Sequence, residues 1–573
     1  MMKHWKRLCL ATVLSGAVSL PMPVLANSFS GAYLAARQAQ YVNDYETAAR
    51  YFTIALTRDP SNLEIMDELI LAQVALGEFE RAGIVARKLE ADGHKSQIGQ
   101  MALAALEGAA GDYTALIKRA DEGRLMGELV DGLLKAWALV GKGDMTSALA
   151  EFGKIADGNG TRAFGLYHKA LALAHVGDLE GADALFGSSQ PGTIMQTRRG
   201  VLAHVQILSQ LGRASDAAEM LKARFGETQD PEIVQMRTRL DAGETLQFDL
   251  ITSPQDGLAE VNFTIAGALA AEPRGTDTLL FARVAQHLRP EMVDASLLLA
   301  QLLEDQGQLD AAVAAYRSVP SDHPAFHVAE MGRAEALRAA DKMDAALEVM
   351  EKLSVSHANL PVVHSAMGDL LRGADRFEDA EKAYDRSLAL WEGRENTDWR
   401  TLYTRGIVHE RLDNWDKAEA DFRAALAISP GEPNVLNYLG YSLVEQHRKL
   451  DEALEMIEQA VAARPQSGYI IDSLGWALFR LGRYEEAVPH MERAAELMSI
   501  DPVINDHLGD VYWAVGRKLE AEFQWKRALS FIEYGEVSQD ADPDRIRRKL
   551  DVGLDQVLAD EGAKPLELVN DDS

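Results

Sequence analysis

The chain repeats itself at a step of 34 residues, and this periodicity constrains its fold more than any other feature. Alanine recurs at that step in four series: Ala48 and Ala82; Ala148 and Ala182; Ala312, Ala346 and Ala380; Ala453, Ala487 and Ala521. Repeats of this length form stacked arrays in which each unit packs mainly on its neighbours. A chain of 573 residues can therefore fold without one large hydrophobic core.

Other residues keep fixed places around these alanines. The last four units contain Ala418, Phe422, Ala425 and Pro430; Ala453, Ile457, Ala460 and Pro465; Ala487, Met491 and Ala494; and Ala521, Trp525 and Ala528. Steps of four and three residues place them on one face of a helix. Twelve or thirteen residues before the alanine comes a Leu-Gly pair: Leu439-Gly440, Leu474-Gly475 and Leu508-Gly509. Glycine lets a second helix approach closely, so each unit is predicted to be an antiparallel helix pair.

Glycine and proline mark the ends of these helices. Gly482 and Gly516 lie between paired helices, and Pro430 and Pro465 follow the second helix of a pair. Together with the Leu-Gly, alanine and aromatic positions, this pattern resembles the tetratricopeptide repeat (TPR) family. The resemblance implies an all-α TPR α-solenoid, a right-handed superhelix of antiparallel helix pairs whose concave face is lined by the first helix of each pair.

The pattern divides the chain into two arrays separated by an irregular break. Glycine, proline and serine cluster between 226 and 257, where Leu246 to Thr252 looks extended, and we predict a break or hinge there. The domains are therefore predicted as follows: 1–26, a signal peptide; 27–225, a degenerate N-terminal array; 226–257, the break; 258–534, the C-terminal array; 535–573, a capping helix and an acidic tail.

The first 26 residues have the pattern of a Sec-type secretory signal peptide. A basic start precedes the short apolar run Leu8–Leu20, and Val24-Leu25-Ala26 fits cleavage after Ala26. We therefore expect a periplasmic protein without a membrane span, associated with the outer membrane only through partners. Cys9, the only cysteine, lies at the start of the apolar run and not in a lipid-acceptor position beside the cleavage site, so the mature chain is expected to form no disulfide.

A formal net charge of −30 bears on the choice of partners. Such a surface repels nucleic-acid phosphates and anionic lipid head groups, so neither is expected to bind. The charge can simply keep the protein soluble, and it can also attract a basic partner. The sequence leaves both interpretations open.

Polar and aromatic residues on the first helices of the last four units are predicted to line a protein-binding groove. They are Tyr403, Arg411, Asn437, Tyr441, Asp472, Trp476, Phe479, Asp506, Asp510 and Trp513. Aromatic rings provide contact area, and Asn and Asp can hold an extended peptide backbone. The alternative is structural: the tyrosine and the tryptophans pack between helices, and Asp472 or Asn505 caps a helix.

Three segments in these units carry more distinctive residues than the repeat pattern requires: residues 437–441, 471–476 and 504–510. They resemble the C-terminal block of proteobacterial envelope TPR proteins. One of these is an outer-membrane lipoprotein adaptor that delivers cell-wall hydrolases to a periplasmic carboxy-terminal processing protease. The resemblance implies a non-catalytic adaptor or scaffold that binds proteins or peptides, including such a protease or hydrolase. The alternative is a structural subunit of an envelope export or assembly machine.

The sequence matches the motifs of enzymes and metal sites poorly. No phosphate loop, zinc-protease motif, serine elbow or dinucleotide fingerprint is found in the sequence. His323 and His327 have a metal-compatible spacing, but Pro324 intervenes and no third ligand is evident. Asp540, Asp542 and Asp544 alternate like the start of a calcium loop, although the later residues do not fit and an acidic linker explains them better. We predict no enzyme activity, no catalytic residue, no cofactor and no metal.

Overall fold

The computed structural model describes residues 28–123, 126–188, 194, 197–270, 275–392, 398–534, 541–563 and 566. Within these ranges every regular element is an α-helix, and 31 helices are present. The predicted all-α class is confirmed. The predicted signal peptide lies outside the described residues. The chain forms two compact units, Met1–Leu353 and Ser354–Ser573.

The helices are short and follow one another through brief turns. Those of the first unit are α1 (Phe29–Tyr41), α2 (Tyr45–Arg58), α3 (Leu63–Ala75), α4 (Phe79–Ala91), α5 (Gln97–Ala109), α6 (Tyr113–Asp121), α7 (Glu128–Gly141), α8 (Met145–Asp157), α9 (Arg162–His175), α10 (Leu179–Phe186), α11 (Arg198–Gln210), α12 (Ala214–Phe225), α13 (Pro231–Asp241), α14 (Pro254–Leu269), α15 (Thr276–Leu288), α16 (Val293–Asp305), α17 (Leu309–Arg317), α18 (Phe326–Ala339) and α19 (Met343–Ser356), which contains the boundary. Those of the second unit are α20 (Pro361–Gly373), α21 (Phe377–Trp391), α22 (Trp399–Arg411), α23 (Trp415–Ile428), α24 (Pro433–Glu445), α25 (Leu450–Ala463), α26 (Gly468–Arg480), α27 (Tyr484–Leu497), α28 (Pro502–Ala514), α29 (Lys518–Tyr534), α30 (Pro543–Val552) and α31 (Leu554–Asp560).

Consecutive helices pack as hairpins, as the 34-residue pattern predicts. In the second unit, α20 packs on α21, α22 on α23, α24 on α25, α26 on α27 and α28 on α29. All ten alanines of the four phased series have no exposed area, so they mark where the helices touch. The turn glycines Gly482 and Gly516 have φ of 77° and 81°, the left-handed conformation expected after a helix end. Helices α23 and α25 end two residues before Pro430 and Pro465.

The glycines of the Leu-Gly pairs allow the close contact within each hairpin. A Cβ atom on Gly475 would lie 2.3 Å from Sδ of Met491, and one on Gly509 would lie 2.4 Å from the indole of Trp525. A side chain of any size would therefore force the paired helices apart. The sequence prediction for these glycines is confirmed.

In the first unit, the hairpin α14–α15 packs on helices that lie much earlier in the sequence. Helix α14 contacts α5, α7 and α9, and α15 contacts α3 and α5. Gly257 lies against Trp137, where a Cβ atom would approach the indole to 2.1 Å, and Nε of Arg283 donates to the carbonyl of Ala75 at 2.7 Å. The first helices of the N-terminal hairpins are thus covered by a later hairpin of the same unit.

Buried charges tie α14 to helices far away in sequence. Glu260, which is 1% exposed, accepts a hydrogen bond from Tyr167 Oη at 2.8 Å and pairs with the Arg199 guanidinium at 2.6 Å. The guanidinium lowers the pKa of Glu260 against the opposing effect of burial. This pairing links α9, α11 and α14 into one polar cluster inside the unit.

The segment 226–257 contains helix α13 followed by an extended stretch. Residues 244–253 are not helical, and they include the stretch Leu246 to Thr252 that the sequence predicts to be extended. Leu246 and Ile251 are buried, and the Leu246 amide donates to Ser209 Oγ at 2.9 Å. This irregular segment is therefore packed inside the first unit through its own side chains and backbone.

Candidate protein-binding groove

The first helices of the last four hairpins line an open groove of about 700 Å³ in the second unit. Three predicted residues, Arg411, Tyr441 and Asp472, lie in its wall. The full lining is Glu410, Arg411, Asp413, Tyr438, Tyr441, Ser442, Glu445, Tyr469, Asp472, Ser473, Met498, Asp501, Val503, Ile504 and His507. Helices α22, α24, α26 and α28 bring these residues together because each first helix presents the same face to the groove.

Three tyrosines form the aromatic part of the wall: Tyr438, Tyr441 and Tyr469. The Tyr469 side chain is 51% exposed, so its ring is open to a ligand. Tyr438 Oη donates to Oε2 of Glu410 at 2.6 Å, which holds its ring in place. Burial, together with the negative charge of Glu410, raises the pKa of Tyr438, which stays a neutral hydrogen-bond donor.

Tyr403, another predicted groove residue, supports this wall from behind. Its ring centroid lies 5.8 Å from that of Tyr438 and 6.0 Å from that of Phe422. Burial raises the pKa of Tyr403 to about 12. Tyr403 is only partly exposed and does not line the groove, so the structure favours a packing role.

Asp472 and His507 lie in the groove where α26 meets α28. Nδ1 of His507 lies 3.1 Å from Oδ2 of Asp472, and the imidazole stacks on Trp476 at a centroid distance of 4.0 Å. Burial opposes the charged imidazolium, but the Asp472 carboxylate outweighs it and raises the pKa of His507. Trp476 Nε1 in turn donates to Glu445 at 2.9 Å.

Two further predicted residues are more deeply placed. Phe479 is 7% exposed and stacks on Trp476 at 4.9 Å, which makes it part of the packing below the groove. Asn437 is 1% exposed, and neither atom of its amide has a hydrogen-bond partner in the described part of the chain. A buried amide without partners is unusual and points to a missing donor or acceptor.

The last three predicted residues, Asp506, Asp510 and Trp513, lie under the C-terminal helices. Both carboxylates accept hydrogen bonds from Nζ of Lys549 on α30, at 2.7 to 2.9 Å. Trp513 Nε1 donates to Asp555 of α31 at 2.9 Å. A partner could reach the two buried carboxylates only by displacing α30, whereas Trp513 is partly exposed.

Sequence reasoning missed Lys549, Glu410, Tyr438 and Tyr469. Lys549 lies three residues after Ile546, which is also buried, so the helical spacing places it on the inner face of α30. Tyr438 and Tyr469 each lie three residues before a predicted groove residue, Tyr441 and Asp472. Extending each predicted site by one helical turn would have found both tyrosines.

Helix capping does not explain Asp472 or Asn505. Helix α26 begins after Ser467, and the N-cap of α28 is Asp501, whose carboxylate accepts from the amide of Val503 at 2.9 Å. The Asn505 amide instead donates to the carbonyl of Asp501 at 2.6 Å. The capping interpretation of these two residues is wrong because both lie inside their helices.

The remaining candidates have local roles. Nδ1 of His323 accepts from the Ala325 amide at 3.1 Å, and His327 contacts the carbonyl of Pro324 at 3.0 Å. Asp542 caps α30, and Asp540 lies outside the described residues. Within the described ranges, no group of three or more His, Cys, Asp or Glu side chains has the geometry to hold a metal ion. None of the described helices is both long and apolar enough to cross a membrane.

Comparison with known families identifies the repeats. A tetratricopeptide repeat model matches residues 33–95, 278–325, 297–358 and 439–502, and a second model with the same description matches residues 359–431. The matched segments are therefore tetratricopeptide repeats, which are suited to protein–protein interaction.

Similar proteins were found among curated sequences and solved structures. The TPR repeat-containing protein PA4667 of Pseudomonas aeruginosa is 32% identical over 132 residues, which span 23% of this chain and 22% of that protein. The Cut9–Hcn1 hetero-tetramer of the APC/C has a TM-score of 0.38 at 15% identity, covering 92% of this chain and 96% of that chain. A tetratricopeptide repeat protein from Parabacteroides merdae has a TM-score of 0.37 at 18% identity, covering 46% and 98%.

Proposed function

We propose that this chain, whose matched segments are tetratricopeptide repeats, is an exported, non-catalytic scaffold that binds a segment of a partner protein in its C-terminal groove. The observation that carries the proposal is the groove itself. Its wall combines three tyrosine rings with charged side chains in an open volume of about 700 Å³. Such a surface offers a peptide both apolar contact area and polar groups that define its orientation.

The two units differ in how much of the face formed by the first helices of their hairpins is exposed. In the first unit, α14 and α15 pack on the first helices α3, α5, α7 and α9. In the second unit, the groove wall formed by α24 and α26 carries Tyr469, which is 51% exposed. We therefore assign partner binding to the second unit.

The Asn437 amide supports recognition of a peptide backbone. Its side chain is one helical turn before Tyr441 and has no hydrogen-bond partner among the described residues. A peptide amide group has both the donor and the acceptor that an asparagine side chain lacks here. Asn437 is 1% exposed and lies behind the lining of the groove, so a peptide backbone would reach its amide only if the side chain moved toward the groove.

The proposed location is the periplasm, and the proposed role is that of an adaptor. The location rests on the signal-like segment before Asn27. The adaptor role rests on the segments 437–441, 471–476 and 504–510, which resemble envelope TPR proteins. In this role the groove delivers a bound substrate to a periplasmic protease or cell-wall enzyme, or activates that enzyme.

Affinity capture from periplasmic extract tests the groove. The groove variant is Tyr441→Ala with Tyr469→Ala, and the matched control is Phe523→Ala on α29, whose ring is 60% exposed on another helix. We expect the wild type and the control to capture the same proteins and the groove variant to lose at least one of them. Identical captured proteins for all three chains would exclude this groove as the binding surface.

A second measurement tests the non-catalytic part of the proposal. Purified full-length protein is incubated alone with peptide and cell-wall substrates, and then with a captured partner enzyme. We expect turnover only when the partner is present. Turnover by the purified chain alone would show that it is an enzyme.

A further inference from the structure

The groove in the second unit has an excess of negative charge. Five carboxylates line it: Glu410, Asp413, Glu445, Asp472 and Asp501. Two basic side chains, Arg411 and His507, share the lining. A groove with this balance attracts a cationic group and repels an anionic one.

The existing contacts neutralise part of this charge. Glu445 pairs with Arg480 at 2.9 Å, and Asp472 pairs with His507 at 3.1 Å. Glu410 accepts a hydrogen bond from the neutral hydroxyl of Tyr438. That hydrogen bond leaves the charge of the Glu410 carboxylate beside the tyrosine rings.

The protein itself shows how these helices hold a cation. On α28, one hairpin further along the chain, Asp506 occupies the place equivalent to Asp472, one 34-residue step later. Its carboxylate binds Nζ of Lys549 at 2.8 Å, and Asp510 binds the same atom at 2.7 Å. The lysine side chain has no exposed area, and its ammonium lies 5.8 Å from the ring centroid of Trp525. Two carboxylates of a first helix and an aromatic ring of its paired helix thus hold a lysine from another helix.

The geometry points to a basic partner segment: we propose that the groove binds a lysine or arginine side chain of a partner protein between its carboxylates and its tyrosine rings. This inference rests on the proposed function, since it names the chemistry of the bound segment. The carboxylates of Glu410 and Asp413 provide the charge, and the rings of Tyr441 and Tyr469 provide faces that attract cations.

Arg411 and His507 set the selectivity of this site. His507 bonds to Asp472 and stacks on Trp476, so it forms part of the floor of the groove. Arg411 is exposed at the end of α22, where it can pair with an acidic residue that flanks the partner's basic residue. A basic segment with a nearby acidic residue therefore fits better than a uniformly basic one.

Selection of random peptides displayed on phage tests the inference with the full chain as target. Selected peptides are synthesised with a fluorophore, and their affinity is measured by fluorescence anisotropy. The groove variant is Glu410→Gln with Asp413→Asn, which keeps the side-chain shapes and an acceptor oxygen on each side chain. The matched control is Glu455→Gln with Glu458→Gln on α25, two exposed residues whose neutralisation changes the net charge equally.

We expect the selected peptides to be enriched in lysine or arginine. Their affinity should fall about tenfold in the groove variant, as expected for loss of partly buried charge pairs, and should not change in the control. Higher salt should weaken binding to the wild type more than binding to the groove variant. Circular dichroism checks that both double variants fold. If the groove double variant does not fold, the single variant Glu410→Gln takes its place.

Two other outcomes separate the inference from the proposed function. In the first, the selected peptides lose affinity for the variant Tyr441→Ala with Tyr469→Ala, but they are not basic, or their affinity does not fall when the groove carboxylates are neutralised. This result would overturn the basic-segment inference and leave the groove as a binding site. Failure to select any peptide whose binding depends on the groove would overturn both.

Discussion

The ammonium of Lys549 lies 2.7 Å from Oδ1 of Asp510 in the interior of the second unit, and the lysine side chain has no exposed area. The same ammonium binds Asp506 at 2.8 Å. These contacts join α30 to α28, so the last hairpin is closed by a helix that lies outside the 34-residue pattern. Two buried carboxylates depend mainly on this one cation for their stability.

Replacement of Lys549 should therefore destabilise the second unit. Lys549→Ala leaves both carboxylates buried with Arg545 as the next cation, 3.8 Å from Asp510, and should cost about 3 to 5 kcal/mol of unfolding free energy. Urea denaturation followed by tryptophan fluorescence measures this, because six of the eight tryptophans lie between Trp391 and Trp525. Lys549→Met combined with Asp506→Asn and Asp510→Asn should recover most of the loss, and an unchanged midpoint for Lys549→Ala would contradict the pairing.

The contact between Gly509 and Trp525 predicts a steric effect. Gly509→Ala places a Cβ atom 2.4 Å from the indole and should destabilise the hairpin by about 1 to 3 kcal/mol through overpacking. Gly373→Ala is the control, because a Cβ atom there would meet no other atom within 4 Å and alanine favours helix. Thermal denaturation should show a lower midpoint for the first variant only; equal midpoints would show that the hairpin can relax around the new methyl group.

His168 predicts a pH dependence in the first unit. Its imidazole is fully buried, Nδ1 accepts from Trp137 Nε1 at 3.1 Å, and burial lowers its pKa from 6.5 to about 4. The unfolded chain therefore binds a proton between these values while the folded chain does not. Stability from this group is present above pH 6.5 and is lost as the pH falls toward 4, by about 3 kcal/mol in total.

Urea denaturation at about pH 7 and about pH 5 measures this dependence in the wild type and in His168→Gln. The wild type should lose more stability on acidification than the variant, because glutamine does not titrate. The same loss in both proteins would mean that His168 is not buried as a neutral side chain.

The signal-like segment predicts a defined N-terminus. Expressed in a Gram-negative host, the protein should be released by osmotic shock and should begin at Asn27. Ala26→Tyr removes the small residue before the cleavage point and should leave the precursor intact, as measured by mass spectrometry. Wild-type protein that keeps residues 1–26 and remains in the cytoplasmic fraction would contradict export.

Much of the local structure could be predicted from the sequence. The helix pairs follow from apolar steps of three and four residues, and their close contacts follow from glycines such as Gly475 and Gly509. Both signals are local, because each repeat contacts mainly the next one along the chain. The set of first helices that carries Arg411, Tyr441 and Asp472 was predictable for the same reason.

The accessibility of those helices was decided only by the tertiary structure. Asp472 and Asp506 are equivalent in the repeat and equally buried, yet Asp472 pairs with His507 in the wall of the groove while Asp506 pairs with Lys549 of α30, a helix outside the repeat pattern. Likewise, Gly257 of α14 meets Trp137 of α7, 120 residues earlier in the chain. No periodic pattern encodes such contacts, because they join an array to helices outside its local order. The sequence alone determined the repeating helix pairs, whereas long-range packing decided which of their faces a partner can reach.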